Sequence, residues 1–207
     1  ALYFMKGQLD LDSSIPGGFG RGMLRKFMTG ETLFQSTIKG TGEIYLEPAF
    51  GHFSIFELDN DSLVVDKGAF YAASDGIQVS AKMQSNISSA VFGGEGLFQT
   101  EIKGSGIVVV RSPVPTDELL VMELADGEKL SIDGNFALAR TSTVKFAAQK
   151  SAQSLFTTVT SGELLLQTFT GPGIVWLAPT QGVYDKIHAA SQFSALNAAK
   201  GTAGTNT

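Results

Sequence analysis

One motif occurs three times in this sequence, and its spacing limits the possible folds more than any other feature. The first copy is GETLFQSTIKGTG at residues 30–42, and the second is GEGLFQTEIKGSG at residues 94–106. A more divergent third copy is GELLLQTFTGPG at residues 162–173. A motif that returns after roughly 65 residues indicates consecutive structural units of one kind. We therefore predict three similar units.

The residues inside each copy are typical of β-strands and tight turns. An alternating apolar stretch precedes two glycines, and an apolar run such as Ile107–Val110 follows them. Alternation and β-branched residues favour strands, and glycine adopts the positive φ angles that tight turns need. We therefore predict a hairpin in each copy. Its turn is formed by the glycine pairs Gly40 and Gly42, Gly104 and Gly106, and Gly171 and Gly173.

Two polar stretches predict further turns. Asp59–Asp61 precedes the apolar stretch Ser62–Asp66, and Ala125–Gly127 precedes Lys129–Asp133. Because Asp, Asn and Gly favour β-turns, we predict a polar turn and a second hairpin at both places. The residue spacing of a calcium-binding loop is not met.

Composition agrees with an all-β fold. The chain has 207 residues, with 24 Gly, 15 Phe and only 17% charged residues, which suits many strands joined by tight turns. We predict one β-sandwich domain over residues 1–183, with units at roughly 1–48, 49–113 and 114–183 joined by short helical turns. Residues 184–207 are predicted to form a C-terminal helix followed by a disordered tail after Lys200.

The first residues resemble part of the repeat. Residues 68–73 read GAFYAA and residues 134–139 read GNFALA, and the opening ALYFM is a third version of this element. We therefore expect that the sequence begins inside its own repeat, as a fragment or processed form with a strand missing upstream.

The residue types of common catalytic and metal sites are absent or isolated. There is no Cys, and His52 and His188 lie in different segments, whereas a metal site or a serine nucleophile needs converging partners. Glu31, Glu95 and Glu163 recur at equivalent places, which favours a role in turn geometry over a catalytic pair. The glycine-rich residues 17–22 match neither the dinucleotide nor the P-loop pattern. We predict a protein that is not an enzyme and has no cofactor.

Nucleic acid is an unfavoured partner. The formal net charge is −5, and phosphate binding depends on clustered Lys and Arg. Lys39 and Lys103 occupy equivalent positions in two copies, but Thr170 lies near that place in the third. A ring of equal basic sites is therefore not expected.

The segment Arg21–Met28 is the strongest candidate for contact with a membrane or a protein partner. It combines basic and bulky apolar residues, which suits an acidic membrane surface or a partner groove: Arg21, Met23, Leu24, Arg25, Lys26 and Phe27. The alternative is that the apolar side chains cap the sandwich while the cations stay solvated.

The repeated hairpin motif, together with the Gly-Ala-Phe elements, resembles the altered inheritance of mitochondria 24 family over residues 1 to about 180. That resemblance implies a β-sandwich of three units around a pseudo-threefold axis, similar in fold to the tryptophan RNA-binding attenuation protein (TRAP-like). It also implies a homo-oligomer, with a trimer favoured, and it brings no catalytic residues. The location it implies is cytoplasmic for a bacterial member and mitochondrial for a fungal one.

The function we predict is therefore a non-enzymatic oligomeric scaffold that contacts a membrane or a protein partner. The alternative is a module that binds a small apolar ligand, for which Phe50, Phe53, Phe56 and Phe70 are the candidate lining, although core packing also explains them. RNA binding and catalysis rank lower.

Overall fold

Antiparallel strands make up most of the chain. The computed structural model describes residues 2–12, 36–48, 51–66, 68–84, 97–150 and 165–203. The predicted all-β fold class is confirmed. The strands in these residues are β1 (Leu2–Asp12), β2 (Thr37–Leu46), β3 (His52–Val65), β4 (Phe70–Ala73), β5 (Ile77–Gln84), β6 (Leu97–Ser112), β7 (Leu120–Leu124), β8 (Lys129–Asp133), β9 (Ala137–Thr141), β10 (Lys145–Lys150), β11 (Leu165–Thr170) and β12 (Gly173–Leu177).

The described strands form three sheets. In the largest sheet, β4, β6, β3, β9, β12 and β7 lie side by side in that order, and β5 also pairs with β6. A second sheet has the order β10, β11, β8. β1 and β2 form a two-stranded unit, hereafter the N-terminal ribbon, which shares no ladder with the other described strands.

One pairing scheme occurs twice in the sheets. β6 pairs with β3 along one edge and with β4 and β5 along the other. In the same way, β12 pairs with β7 and β9, while β11 pairs with β8 and β10. Thus β11 and β12 correspond to the two halves of β6, and β7 and β8 correspond to the two halves of β3. The second and third predicted units share this scheme, and a pseudo-threefold arrangement of all three stays a prediction.

The predicted hairpins at the glycine pairs are wrong. β2 runs without a break through Gly40 and Gly42, and β6 does the same through Gly104 and Gly106. Gly104 has a φ of 132°, and a Cβ atom there would overlap the carbonyl oxygen of Gly76. The glycines therefore bend a continuous strand and let a neighbouring backbone approach closely.

The third copy is interrupted, but it forms no hairpin either. β11 ends at Thr170 and β12 begins at Gly173, with Gly171 and Pro172 between them. These two strands pair with different neighbours and lie in different sheets, not against each other. The sequence pattern therefore located a change of direction correctly and assigned the wrong strand pairing to it.

The first polar stretch is a bulge within β3, so the turn predicted there is wrong. Asp59 and Asn60 together lie opposite Ser105, between the pairs Leu58–Gly106 and Asp61–Gly104. Asn60 has a φ of 54°, and its backbone N–H donates to Ser105 Oγ at 2.8 Å. A bulge of two residues against one bends the strand without reversing it. In the third unit, Ala125–Glu128 does separate β7 from β8 as a turn.

Two clusters of buried apolar side chains stabilise these sheets. The first is formed by residues of β3, β6 and β9: Leu58, Leu63, Val65, Ile102, Val108, Val110, Leu138 and Ala139. The second lies within the third unit: Leu124, Ile132, Val144, Phe146, Ala148, Phe169, Val175 and Leu177. Because β9 belongs to the third unit and supplies two residues to the first cluster, the core of the second unit depends on the third.

One helix, α1 (Gln181–Ala203), follows the last strand. It begins three residues before the predicted start at residue 184 and includes residues 201–203 of the predicted tail. Once the first turn of a helix has formed, each further residue can add a backbone hydrogen bond at little entropic cost. Alanine also favours the helical conformation. None of the described helices is long and apolar enough to cross a membrane.

Candidate functional site

The N-terminal ribbon exposes apolar side chains on both of its faces. Tyr3, Phe4 and Met5 are consecutive in β1 and all three are exposed. Successive side chains of a strand point to opposite faces, so neither face of β1 is covered at this end. β2 adds exposed Ile44 and Tyr45, and Phe4 stacks on Tyr45 with ring centroids 4.2 Å apart. An exposed apolar surface of this kind marks a contact site.

Several strand edges are open among the described residues. β8 is the end strand of its sheet and pairs with β11 alone. β1 pairs with β2 alone, so each strand of the ribbon has a second, unpaired edge. Open edges present unpaired N–H and C=O groups that accept a further strand. The ribbon and β8 therefore each combine an open edge with uncovered side chains.

Arg140 is the centre of a buried polar network between the second and third units. Its side chain donates from Nη1 to Gln99 Oε1 at 2.9 Å and from Nε to the carbonyl oxygen of Val144 at 3.4 Å. Gln99 in turn donates from Nε2 to Asp66 Oδ1 at 2.9 Å. The guanidinium carbon lies 5.0 Å from the ring centroid of Phe146. These contacts hold β9, β6 and the end of β3 together.

The charge of Arg140 is retained although it is buried. Burial lowers the pKa of Arg140 to about 10, while the charges of Asp66 and Glu101 act to raise it. A group with that pKa is protonated at neutral pH. The cavity beside it, which Gln167 also lines, has a volume of about 10 Å³, roughly enough for one water molecule. The arrangement suits a structural role.

Glu101 carries an ion-pair cluster on β6. Its carboxylate lies 2.7 Å from Lys82 Nζ on β5 and 3.0 Å from Lys103 Nζ. Burial alone would raise the pKa of Glu101, but the hydrogen bonds and charges of the two lysines outweigh burial and lower it. The carboxylate is therefore ionised at neutral pH and joins β5 to β6.

Glu118 attaches the start of α1 to the sheet. Its two carboxylate oxygens accept hydrogen bonds from Thr180 Oγ1 at 2.5 Å and from the Tyr184 hydroxyl at 2.6 Å. These bonds lower the pKa of Glu118 and raise that of Tyr184. The ring of His52 meets the Tyr184 ring edge-on, with centroids 5.4 Å apart. The first turn of the helix is thus fixed by side chains from β3 and from the turn before β7.

The predicted contact segment lies outside the described residues. This holds for Arg21, Met23, Leu24, Arg25, Lys26 and Phe27, and also for Glu31, Glu95, Glu163 and Phe50. The contact proposed for that segment stays a prediction.

The other aromatic candidates lie against neighbouring aromatic or core residues. Phe53 packs against Tyr71 at 4.6 Å, and Phe56 meets Trp176 edge-on at 5.2 Å. Phe56 and Phe70 also pack on the first buried cluster. Core packing therefore accounts for these two rings. Among the described residues, no three His, Asp or Glu side chains are grouped so as to hold a metal ion.

Sequence reasoning missed the two features that the structure adds, the exposed ribbon and the Arg140 network. The ribbon could have been found from Tyr3–Met5 and Ile44–Tyr45, where both faces of a strand are apolar. Nothing in the sequence signals that Arg140 and Gln99 meet, because they are 41 positions apart.

Together these features define an antiparallel β protein that repeats one strand-pairing scheme and leaves strand edges open. The chain belongs to the family described as Mitochondrial biogenesis AIM24, whose model matches residues 1–180. This confirms the family resemblance found in the repeated motif, and α1 begins just after the matched region.

Solved structures include a similar fold. An X-ray structure of a protein from Streptococcus pyogenes matches with a TM-score of 0.61 and 22% sequence identity, over 85% of this chain and 78% of that one. At this level of identity, the likeness concerns the fold alone. No match was found among curated proteins.

Proposed function

We propose that this protein is a non-enzymatic, oligomeric β scaffold of the AIM24 type. The observation that supports this function is the N-terminal ribbon, whose apolar side chains are exposed on both faces and whose two strands each have an open edge. Large uncovered apolar surface and unpaired strand edges are unfavourable in an isolated chain. Association of copies covers both, and a trimer is the expected state.

Light scattering on the purified protein at micromolar concentration tests the oligomer. We expect a particle of about three chain masses or more, where one chain is 21.9 kDa. A particle that stays at one chain mass across the concentration range contradicts the scaffold function.

The scaffold also contacts an anionic membrane or a protein partner through the segment that contains Arg21, Met23, Leu24, Arg25, Lys26 and Phe27. Support comes from its mixture of cationic and bulky apolar residues, which suits a surface with acidic headgroups. Flotation with anionic vesicles is expected to carry the protein, and the double change Arg25→Glu, Lys26→Glu is expected to reduce it strongly. Equal flotation of the two proteins contradicts the membrane contact.

A further inference from the structure

We propose that β1 of one copy pairs with the open edge of β8 in a second copy, antiparallel and with Met5 opposite Ser131. This inference rests on the proposed scaffold function, and it names the two surfaces that meet and their register. The contact is a strand added to a sheet edge, in which main-chain hydrogen bonds give affinity.

The first step is that β1 is equivalent to β9. β1 pairs with β2, and β9 pairs with the equivalent stretch, β12. In each pairing, one residue of β1 or of β9 has no residue opposite it. The same holds for β4 against β6. These residues are Tyr3 in β1, Tyr71 in β4 and Leu138 in β9. A bulge at one place in three ladders assigns Phe4 to the position of Ala139, and Met5 to the position of Arg140.

The second step is that β8 is equivalent to the second half of β3. Leu63 lies opposite Ile102, two residues before Gly104, and Leu130 lies opposite Phe169, two residues before Gly171. Ser131 and Ile132 therefore take the positions of Val64 and Val65.

The third step is the pairing that already exists between these two kinds of strand. β3 pairs with β9 through Val64 opposite Arg140 and Val65 opposite Ala139. Applied to the equivalent strands, this register places Ser131 opposite Met5 and Ile132 opposite Phe4. Among the described residues, β1 and β8 each lack a partner on the edge concerned.

The exposed fractions of equivalent side chains in β9 and β1 show the effect of the neighbouring strand that β1 lacks. In β9, Leu138, Ala139 and Arg140 are 7%, 4% and 3% exposed. At the equivalent positions of β1, Tyr3, Phe4 and Met5 are 67%, 49% and 38% exposed. β9 has the neighbouring strand that β1 lacks. Pairing with β8 would cover the side chains that the ribbon leaves in water, which is favourable in proportion to the apolar area covered.

The occupant is a second copy because, in the described part of the chain, the ribbon and β8 form no ladder with each other, which leaves both edges available to another chain. The register also places Lys6 opposite Leu130, as Thr141 lies opposite Leu63 in the existing pair.

Cysteine pairing tests this register directly, because the natural chain contains no Cys. Met5→Cys and Ser131→Cys are made as separate variants, and both sites are exposed, so neither change affects the core. The two variants are mixed and oxidised under mild conditions. We expect a disulfide-linked dimer whose peptide map joins positions 5 and 131. Directly opposite residues meet the Cα spacing that a disulfide needs.

The matched control is Gln8→Cys mixed with Ser131→Cys. Gln8 is three residues along β1, roughly 10 Å from the proposed register, and should link poorly. Far-UV circular dichroism checks that all variants fold alike. A double variant, Met5→Cys with Ser131→Cys, shows where the link forms, and a link found only within one chain overturns the second copy as occupant.

The other possible outcomes distinguish a failure of the β1–β8 contact from a failure of the scaffold function. If light scattering finds an oligomer but the mixed variants do not link, or link as well through position 8, the β1–β8 contact is wrong and the scaffold stands. If the protein is a monomer and no link forms, both proposals are wrong.

Discussion

Single residues in this fold are constrained mainly by the approach of neighbouring strands. Gly104 adopts a φ of 132° and lies against the backbone of Gly76, so both its conformation and the space around it exclude a side chain. Arg140 is constrained in a different way, because its buried charge needs Gln99 and Val144 as hydrogen-bond acceptors. Both residues are therefore constrained by neighbouring parts of the chain, and not by their own strand alone.

The change Gly104→Ala is expected to lower the free energy of unfolding by about 2–4 kcal/mol, because the added Cβ meets backbone and the φ angle is strained. Urea denaturation measures the loss. The control is Gly127→Ala, which also has a positive φ, 74°, but has open space around the new Cβ. We expect it to cost about 1 kcal/mol. Equal losses would show that steric overlap with the neighbouring strand is unimportant.

Glu101 is expected to make stability depend on acid pH. Its pKa is lower in the folded protein than in the unfolded chain, so its stabilising effect is full above the unfolded pKa and is lost as pH falls through the folded one. Urea midpoints should therefore fall as the pH drops into and below the usual titration range of a Glu carboxyl. Glu101→Gln should show a smaller fall, and so should Lys82→Met, which removes one partner. An unchanged slope in both variants contradicts the ion-pair account.

At the scale of elements, the sequence predicted strands well and their connections poorly. Alternation and β-branched residues identified the strands of the repeat because side-chain periodicity is a local property. The glycine pairs were assigned to hairpins because a positive φ serves a turn and a strand bend equally. The choice between them depends on the partner strand, such as β3, whose bulge at Asp59 and Asn60 lies opposite β6 in space. No local pattern contains that information.

The site was also only partly predictable from the sequence. The family resemblance and the repeat follow from residues that recur along the chain. The open edges do not, because an edge is defined by the strand that is missing beside it. Tyr3 and Leu138 occupy equivalent places, yet Tyr3 is 67% exposed and Leu138 is 7% exposed, since β9 has a strand beside it where β1 has an open edge.

The start of α1 depends on Glu118. Tyr184→Phe removes the hydroxyl that donates to this carboxylate at 2.6 Å while keeping the ring against His52. We expect amide hydrogen exchange in the first two turns of the helix to become several-fold faster, since one of the two hydrogen bonds that attach the helix start to Glu118 is lost. Tyr3→Phe is the control and should leave this exchange unchanged. No difference between the two variants would mean that Thr180 alone holds the helix start.

At the scale of the whole molecule, several strand edges are open among the described residues. The first buried cluster combines residues of the second and third units, whereas the N-terminal ribbon forms no ladder with the other described strands. Under the proposed scaffold function, association of copies covers the exposed side chains of the ribbon.

Charges placed on the ribbon are expected to weaken that association. Phe4→Lys with Tyr45→Lys replaces a stacked aromatic pair, whose ring centroids are 4.2 Å apart, by two like charges. Light scattering should show a lower particle mass, or the same mass only at a concentration about tenfold higher or more, as a loss of at least 1.4 kcal/mol implies. The control is Gln8→Lys with Thr41→Lys, which adds the same charge at a polar pair of the ribbon. If both double changes weaken association equally, the added charge alone explains the effect, and the prediction that the aromatic pair is a contact is wrong.

In the proposed contact between copies, the donating edge lies on β1 and the accepting edge on β8, which are different surfaces of one chain. A copy that binds through one of them still presents the other, so the contact has a direction and sets no limit on copy number by itself. Such head-to-tail growth ends as a ring when the rotation per copy closes the circle, and continues as a filament when it does not. The twist between neighbouring copies, and not the strength of their contact, therefore decides whether this protein forms a closed particle or a fibre.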